Sequence, residues 1–171
     1  MTAPQAIIRP AVQADLKAVA EVFAHYVANT VITFEQIPPT VADWRQRLDD
    51  LTARGLPFLV AESSGDVAGY AYATPWRPKP AYRHTVENSI YLAPDLTGRG
   101  LGSALLGDLV DRCAQADMRQ MIAVIADSGS RASVALHERF GFTHAGRLTG
   151  VGHKHGRWID TVLMQRALTA G

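Results

Sequence analysis

One stretch of this chain has the composition of an anion cradle. Leu96-Thr97-Gly98-Arg99-Gly100-Leu101-Gly102-Ser103-Ala104 follows a strand-like apolar run and leads straight into a helical pattern. Glycines let the backbone turn tightly with its N–H groups facing outward. The first turn of a helix adds unpaired N–H groups and the positive end of the helix dipole. Together they suit a pyrophosphate. A P-loop would need a longer spacing and Gly-Lys-Ser/Thr. A dinucleotide fingerprint would need G-x-G-x-x-G early in a βαβ unit, whereas this stretch reads G-x-G-x-G past mid-chain. The plain alternative is a glycine-rich turn that holds no ligand.

Two further groups carry chemistry. Ser130, Ser133 and His137 are spaced three and four apart, which puts them on one face of a helix. Leu136 and Phe140 mark a second, apolar stripe, so one face can pack on a sheet while the other meets a ligand or simply faces water. Over residues 85–92, strand alternation separates Thr85, Glu87, Ser89 and Tyr91 from Val86, Asn88, Ile90 and Leu92. A carboxylate buried on a central strand is costly unless it has a purpose. Burial also raises its pKa. Glu87 is therefore a candidate base, or else a structural partner for a nearby arginine.

The elements that must position these groups follow from periodicity and turn chemistry. Ile7-Ile8 opens a strand closed at Arg9-Pro10. Leu16, Val19, Ala20, Phe23 and Val27 recur at helical spacing after Asp15, and Asn29-Thr30 ends that helix. Thr40 can cap a second helix with Trp44, Leu48 and Leu51 on its apolar face and Gly55 at its stop. Strands over 57–62 and 67–74 flank the hairpin signal Ser63-Ser64-Gly65-Asp66. Further strands are expected over 85–92, 121–126, 142–147 and 158–164. A helix striped by Leu101, Leu105, Leu109 and Cys113 is expected, with another over 130–140 ended by Gly141. A Gly/His-rich loop would join the last two strands. The sum is a single mixed α/β domain over residues 1–171. Its central mixed sheet has about seven strands flanked by about four helices, and a helical crossover makes the strands at 85–92 and 121–126 parallel.

The bulk composition narrows the partners. The 171 residues are 47% hydrophobic and 19% charged, with a net charge of +1, which describes a globular domain with a sizeable core. No run of like charge forms a footprint for nucleic acid or an anionic membrane. Cys113 is the single cysteine, so an internal disulfide is impossible and a buried thiol is expected. His144, His153 and His155 lack the companions of a convincing metal site. Met1-Thr2-Ala3-Pro4-Gln5 has neither the basic nor the apolar region of a signal peptide. No apolar stretch approaches the roughly 20 residues of a membrane span. A cytosolic location is expected.

Gly98-Arg99-Gly100-Leu101-Gly102, taken with Leu136-His137-Glu138-Arg139-Phe140-Gly141-Phe142, resembles the paired acetyl-CoA signature of the GNAT acetyltransferases. Thr97 departs from the Arg or Gln of that motif, and Ser130 stands where relatives often carry Asn. Several further segments resemble the phosphinothricin and methionine-sulfoximine acetyltransferase branch, in order along nearly the whole chain. They are Thr33-Phe34-Glu35, residues 81–89 around Glu87, Leu136-His137-Glu138, and residues 152–160 around Trp158.

The resemblance implies an acetyl-CoA-dependent N-acetyltransferase acting on a small amino-acid-like amine, without a metal. The pyrophosphate would sit on Gly98, Arg99, Gly100, Leu101, Gly102 and Ser103, with Ser130 and Ser133 nearby. The pantetheine arm would pair with Ile90, Tyr91 and Leu92 like an extra strand. Glu87 would take a proton from the amine, and a backbone N–H near Leu92 would meet the oxyanion. His137 would protonate the thiolate, help activate the amine, or only bond a backbone carbonyl. Arg77, Lys79 and Arg83 would offer cations to the acceptor. Glu35, Asn88 and Ser89 would also contact it, and Phe34 and Tyr82 would wall its pocket or serve the core. A homodimer is expected from the resemblance, and from Trp76 and Trp158 near the proposed pocket. An acetyltransferase of protein N-termini or lysines, and a CoA-binding module without turnover, are the rival readings.

Overall fold

The computed structural model describes residues 5–168; the first four residues of the leader reading lie outside that range. Seven strands form one sheet: β1 Ile7–Pro10, β2 Phe58–Ser63, β3 Asp66–Pro75, β4 Thr85–Leu92, β5 Gln120–Ala126, β6 Thr143–Lys154 and β7 Arg157–Ala167. Their order is β1-β2-β3-β4-β5-β7-β6. Only β4 and β5 are parallel; every other neighbouring pair is antiparallel. Among the described residues there are also four α-helices: α1 Leu16–Asn29, α2 Val41–Ala53, α3 Leu101–Gln115 and α4 Ala132–Arg139.

The helices divide between the two faces because β4 alternates. Tyr91 turns its ring to Phe23 and Tyr26 of α1, and Tyr70 meets Trp44 of α2. On the opposite face Asn88 reaches His137 of α4, and Leu92 lies beside Gly102 of α3. Three helices bury the stripe their spacing dictates: Leu16, Val19, Phe23 and Val27 in α1, then Trp44, Leu48 and Leu51 in α2, then Leu101, Leu105, Leu109 and Cys113 in α3; α4 instead buries His137, with Leu136 and Phe140 half-buried. Thr40 and Asp43 form a reciprocal cap at the start of α2. The Thr40 hydroxyl accepts from the Asp43 N–H at 3.1 Å, and the Asp43 carboxylate accepts from the Thr40 N–H at 2.7 Å.

Two elements differ from the sequence expectation. Ser130 precedes α4 rather than lying within it: its hydroxyl accepts from the Ala132 N–H at 3.2 Å, a local turn that competes with the helix. The Gly/His-rich segment is not a loop. β6 and β7 extend through it and close at His155-Gly156, with a register irregularity between Leu148 and Gly152. Apolar alternation is weak there because most of β6 is exposed on both faces.

The feature that positions the site is a parting of the sheet. β4 and β5 pair only at Thr85↔Gln120, Val86↔Met121 and Glu87↔Ile122. β5 stays with β7 as far as Ala126↔Thr161, while β4 stays with β3 as far as Leu92↔Gly69. Each strand follows its other neighbour, and a wedge opens between them. The β3 side of that wedge is tightly set. A Cβ on Gly69 would lie 2.6 Å from Leu92 Cδ2 and 2.9 Å from the Tyr91 carbonyl oxygen, so the end of β4 lies where only glycine admits it. Gly69→Ala is therefore expected to destabilise the fold by about 1–3 kcal/mol, as overpacking does, measured by urea unfolding.

Candidate active site

The wedge exposes backbone. The Trp76 N–H donates to the Thr85 carbonyl at 3.1 Å and the Ala93 N–H to the Ala68 carbonyl at 2.9 Å. In an antiparallel ladder hydrogen-bonded pairs alternate. With this register, Glu87, Ser89 and Tyr91 direct their backbone groups to β3. Asn88, Ile90 and Leu92 direct theirs towards β5, and beyond Glu87↔Ile122 no strand stands opposite. The Tyr26 hydroxyl donates to the Leu92 carbonyl, which leaves the Leu92 N–H as the outward donor. Tyr26 was not foreseen as a site residue. The one hint was its place off the apolar stripe of α1, on a side chain whose hydroxyl needs a partner when buried.

The wedge is part of a cleft of about 450 Å³. Glu87, Asn88 and Ser89 line its floor, Ile90, Tyr91 and Leu92 one wall, and residues 124–126 of β5 the other. Gly98 and Gly102 close one end, while Ser130, Ser133 and His137 line the α4 side. Thus the glycine-rich turn, the polar side of α4 and the candidate base share one space. Gly98 and Gly100 have φ values of +75° and +81°, the left-handed region that glycine adopts freely, and Gly100 caps the start of α3. Arg99, Gly100, Leu101 and Ser103 belong to the same turn but do not line the cleft itself. Arg99 reaches back to the Asp95 carbonyl at 3.5 Å, Leu101 is in the core, and the Ser103 hydroxyl accepts from Arg139 at 3.3 Å.

The electrostatics separate two titratable groups. Burial pushes the Glu87 carboxyl above its ordinary value, and the positive charge of Arg77 partly opposes that. His137 is buried, and loss of solvent lowers its pKa, against a smaller opposing effect of the Ser133 carbonyl. That carbonyl lies 2.7 Å from His137 Nδ1 and can only accept, so Nδ1 carries the proton of the neutral ring. Nε2 is then a bare acceptor 3.3 Å from the Asn88 amide oxygen, while the buried Asn88 amide nitrogen has no partner. A half-turn of the Asn88 amide gives Nε2 its donor and satisfies both groups.

The structure does not bring all the expected acceptor residues into the cleft. Lys79 and Arg83, with Arg77 and Arg54, line a separate hollow of about 610 Å³ at the Val86 end of β4. This hollow contains neither Glu87 nor the glycine-rich turn. Arg77 stacks its guanidinium 4.6 Å from the Trp76 ring and is the cation whose charge reaches Glu87. Tyr82 is exposed on a short 3-10 turn and lines neither space. Phe34 lies against Gly152, Glu35 is exposed, and Ile32 of the same loop lines the cleft. Among the described residues no three His, Cys, Asp or Glu side chains gather. His144 faces Glu138 and His153 packs on Trp158. Cys113 is buried away from the cleft, with its thiol pushed up to about 12.

Known proteins resemble this chain in sequence and in fold. The chain is 50% identical over 157 residues to the phosphinothricin N-acetyltransferase of Alcaligenes faecalis, covering 92% of this chain and 80% of the relative. It is 39% identical over 161 residues to the L-methionine sulfoximine/L-methionine sulfone acetyltransferase of Pseudomonas aeruginosa, covering 94% and 93%. The crystal structure of a GNAT superfamily phosphinothricin acetyltransferase from Sinorhizobium meliloti in complex with AcCoA superposes with a TM-score of 0.91 at 46% identity, over 95% of this chain and 88% of that one. Residues 8–163 match the acetyltransferase (GNAT) domain family, and with the wedge, the glycine-rich turn and these relatives in agreement, the chain belongs to the GNAT acetyltransferases.

Proposed function

We propose that this protein transfers the acetyl group of acetyl-CoA to the amino group of a small amino-acid-like acceptor of the phosphinothricin, methionine sulfoximine or methionine sulfone type. The observation that carries the reading is the parting of β4 from β5 immediately after Glu87. It sets a raised-pKa carboxyl beside a free backbone edge that runs to the glycine-rich turn. Ile90 pairs with the pantetheine arm, the Leu92 N–H is left for the thioester end of acetyl-CoA, and the N–H groups around Gly98–Gly102 take the pyrophosphate. Ser130 and Ser133 lie along the same path. Tyr91 contributes its side chain rather than its backbone.

Glu87, directly or through water, takes the proton that the acceptor's ammonium must lose. The amine nitrogen then bonds the thioester carbon while the carbonyl oxygen gains charge facing the Leu92 N–H. The carbon–sulfur bond breaks, the amide forms, and the proton released by the nitrogen is matched by the one the thiolate takes up. His137 is left in a positioning role: its one N–H is committed to Ser133, and its other nitrogen holds Asn88. Arg77 is the cation for the acceptor's carboxylate. Asn88 and Ser89 line the cleft, whereas Arg77 stands outside it with Lys79 and Arg83 and acts through its charge, and Tyr82 lies outside it as well. The 31–35 loop is bonded across to β6, which favours a closed acceptor site over the open groove that acetylation of protein N-termini or lysines would need. The protein works in the cytosol without a metal, and neither nucleic acid nor membrane is its partner.

The outer strand supports a homodimer. β6 is an edge strand exposed on both faces over most of its length, and Leu148, Val151 and Trp158 stand out from this hairpin. An uncovered edge with apolar residues is a surface that proteins normally protect.

Thiol release with a panel of phosphinothricin, methionine sulfoximine, methionine sulfone, ordinary amino acids and peptides tests the substrate class. Turnover confined to peptides would reject it, and no turnover at all would leave a CoA-binding module. Acetyl-CoA should raise the melting temperature, and Gly100→Val should remove most of that rise by forcing a branched residue into a left-handed turn. Sedimentation should show a dimer at micromolar concentration and a monomer for Trp158→Asp. Glu87→Gln should lower kcat by about 10²-fold or more, with partial recovery at high pH and little change in acetyl-CoA affinity. Because the Glu87 carboxyl titrates higher in the fold than in the unfolded chain, its ionised form costs stability above the folded pKa and nothing below the unfolded one. Glu87→Gln should therefore melt higher than wild type at neutral pH, and the gap should close as pH falls through the carboxylate range.

A further inference from the structure

Lys154 is a lysine inside the protein, 4% exposed. An ammonium taken out of water is costly unless it is well partnered. Here no carboxylate lies within ion-pair distance of it among the described residues. The charge of Glu35 is felt only from further away. Its hydrogen bond goes instead to the Thr33 carbonyl at 2.8 Å, across 121 residues of sequence. A buried charge spent on one loop carbonyl asks what that loop does.

Thr33 is held from several directions. Lys154 takes its carbonyl, and its hydroxyl accepts from the Glu35 N–H at 3.3 Å. The same side chain adjoins the Tyr91 phenol and partly offsets the effect of burial there. On one side of it Ile32 lines the cleft. On the other Phe34 presses on β6 at Gly152, where a Cβ would lie 2.4 Å from its ring. Gly152 and Lys154 are the buried positions of an alternating run in which Val151 and His153 are exposed. One face of β6 thus supplies both a gap for Phe34 and a donor for Thr33.

We propose that Lys154 is a positioning residue for the acceptor: it latches the 31–35 loop to β6 and so sets the wall of the cleft at Ile32 and Tyr91. The proposal rests on the acetyl-transfer reading for what the wall faces, and on geometry alone for the latch. Loss of the latch leaves the acetyl-CoA path intact, because Ile90, Leu92 and the glycine-rich turn are anchored by β3, Tyr26 and α3.

The test uses the full chain with Lys154→Met, Lys154→Arg and Gly152→Ala. Gly152→Ala leaves the ammonium in place and displaces Phe34. Lys154→Met is expected to raise the acceptor KM by about tenfold or more, a scale consistent with small misplacement of a reacting group, while the acetyl-CoA KM stays within about twofold. Lys154→Arg, which keeps a charged donor for Thr33, should restore most of the loss, and Gly152→Ala should show the same one-sided KM change. Hydrogen exchange should quicken at amides 31–36 in Lys154→Met and remain unchanged at 97–103. An unaltered acceptor KM with unaltered exchange at 31–36, or equal losses for both substrates, would overturn the latch. If Lys154→Met does not fold, Gly152→Ala decides. If the wild-type protein acetylates nothing in the panel, the acetyl-transfer reading fails, and exchange at 31–36 alone decides the latch.

Discussion

The site depends on a conflict of pairing in the middle of the sheet. β4 cannot follow β5 and β3 at once, and after three parallel pairs it stays with β3. Backbone groups buried without partners are costly, so such a break persists only where water or a ligand reaches the freed edge. The cleft supplies that access. The break also explains why one cleft touches both faces of the sheet: Glu87 belongs to the α1–α2 side and Asn88 to the α3–α4 side, yet both line the same opening.

The surroundings hold the break in place. Gly69 lets β3 approach the end of β4 closely, and Tyr26 ties α1 to the Leu92 carbonyl. Behind β4, the rings of Phe23, Trp44, Tyr70 and Tyr91 interlock with centroids 5.0–5.7 Å apart. Such packing resists displacement. Beneath β5, α4 presents His137 with both ring nitrogens engaged. Residues from positions 26 to 137 converge here, so the cleft forms only as part of the complete fold.

The sequence was most informative where local chemistry and tertiary need agreed. The β4 span from Thr85 to Leu92, the Thr40 cap and the stripes of α1 to α3 were legible because each combines strong periodicity with a clear boundary residue. The Gly98–Gly102 turn was legible because its glycines occur where a helix begins. Less was visible where a contact joins distant segments. Nothing local marks Tyr26 as the partner of Leu92, Lys154 as a buried donor, or Gly152 as a seat for Phe34. The placing of Arg77, Lys79 and Arg83 around a separate hollow was hidden for the same reason: nothing local says where a Pro-rich loop sends its cations. The extension of β6 was missed because an edge strand exposed on both faces lacks the alternation that reveals strands.

The wedge between β4 and β5 is also a size filter. Its width grows from a hydrogen-bonded contact at Glu87 to an open mouth within five residues, from Asn88 to Leu92. A polypeptide strand carries a side chain at every residue and needs a constant spacing of about 4.8 Å along its length, so it cannot enter a gap that tapers to nothing. A slender, unbranched chain with amide groups at intervals can. The sheet thus keeps two unpaired edges facing each other in its interior without offering either to another copy of itself.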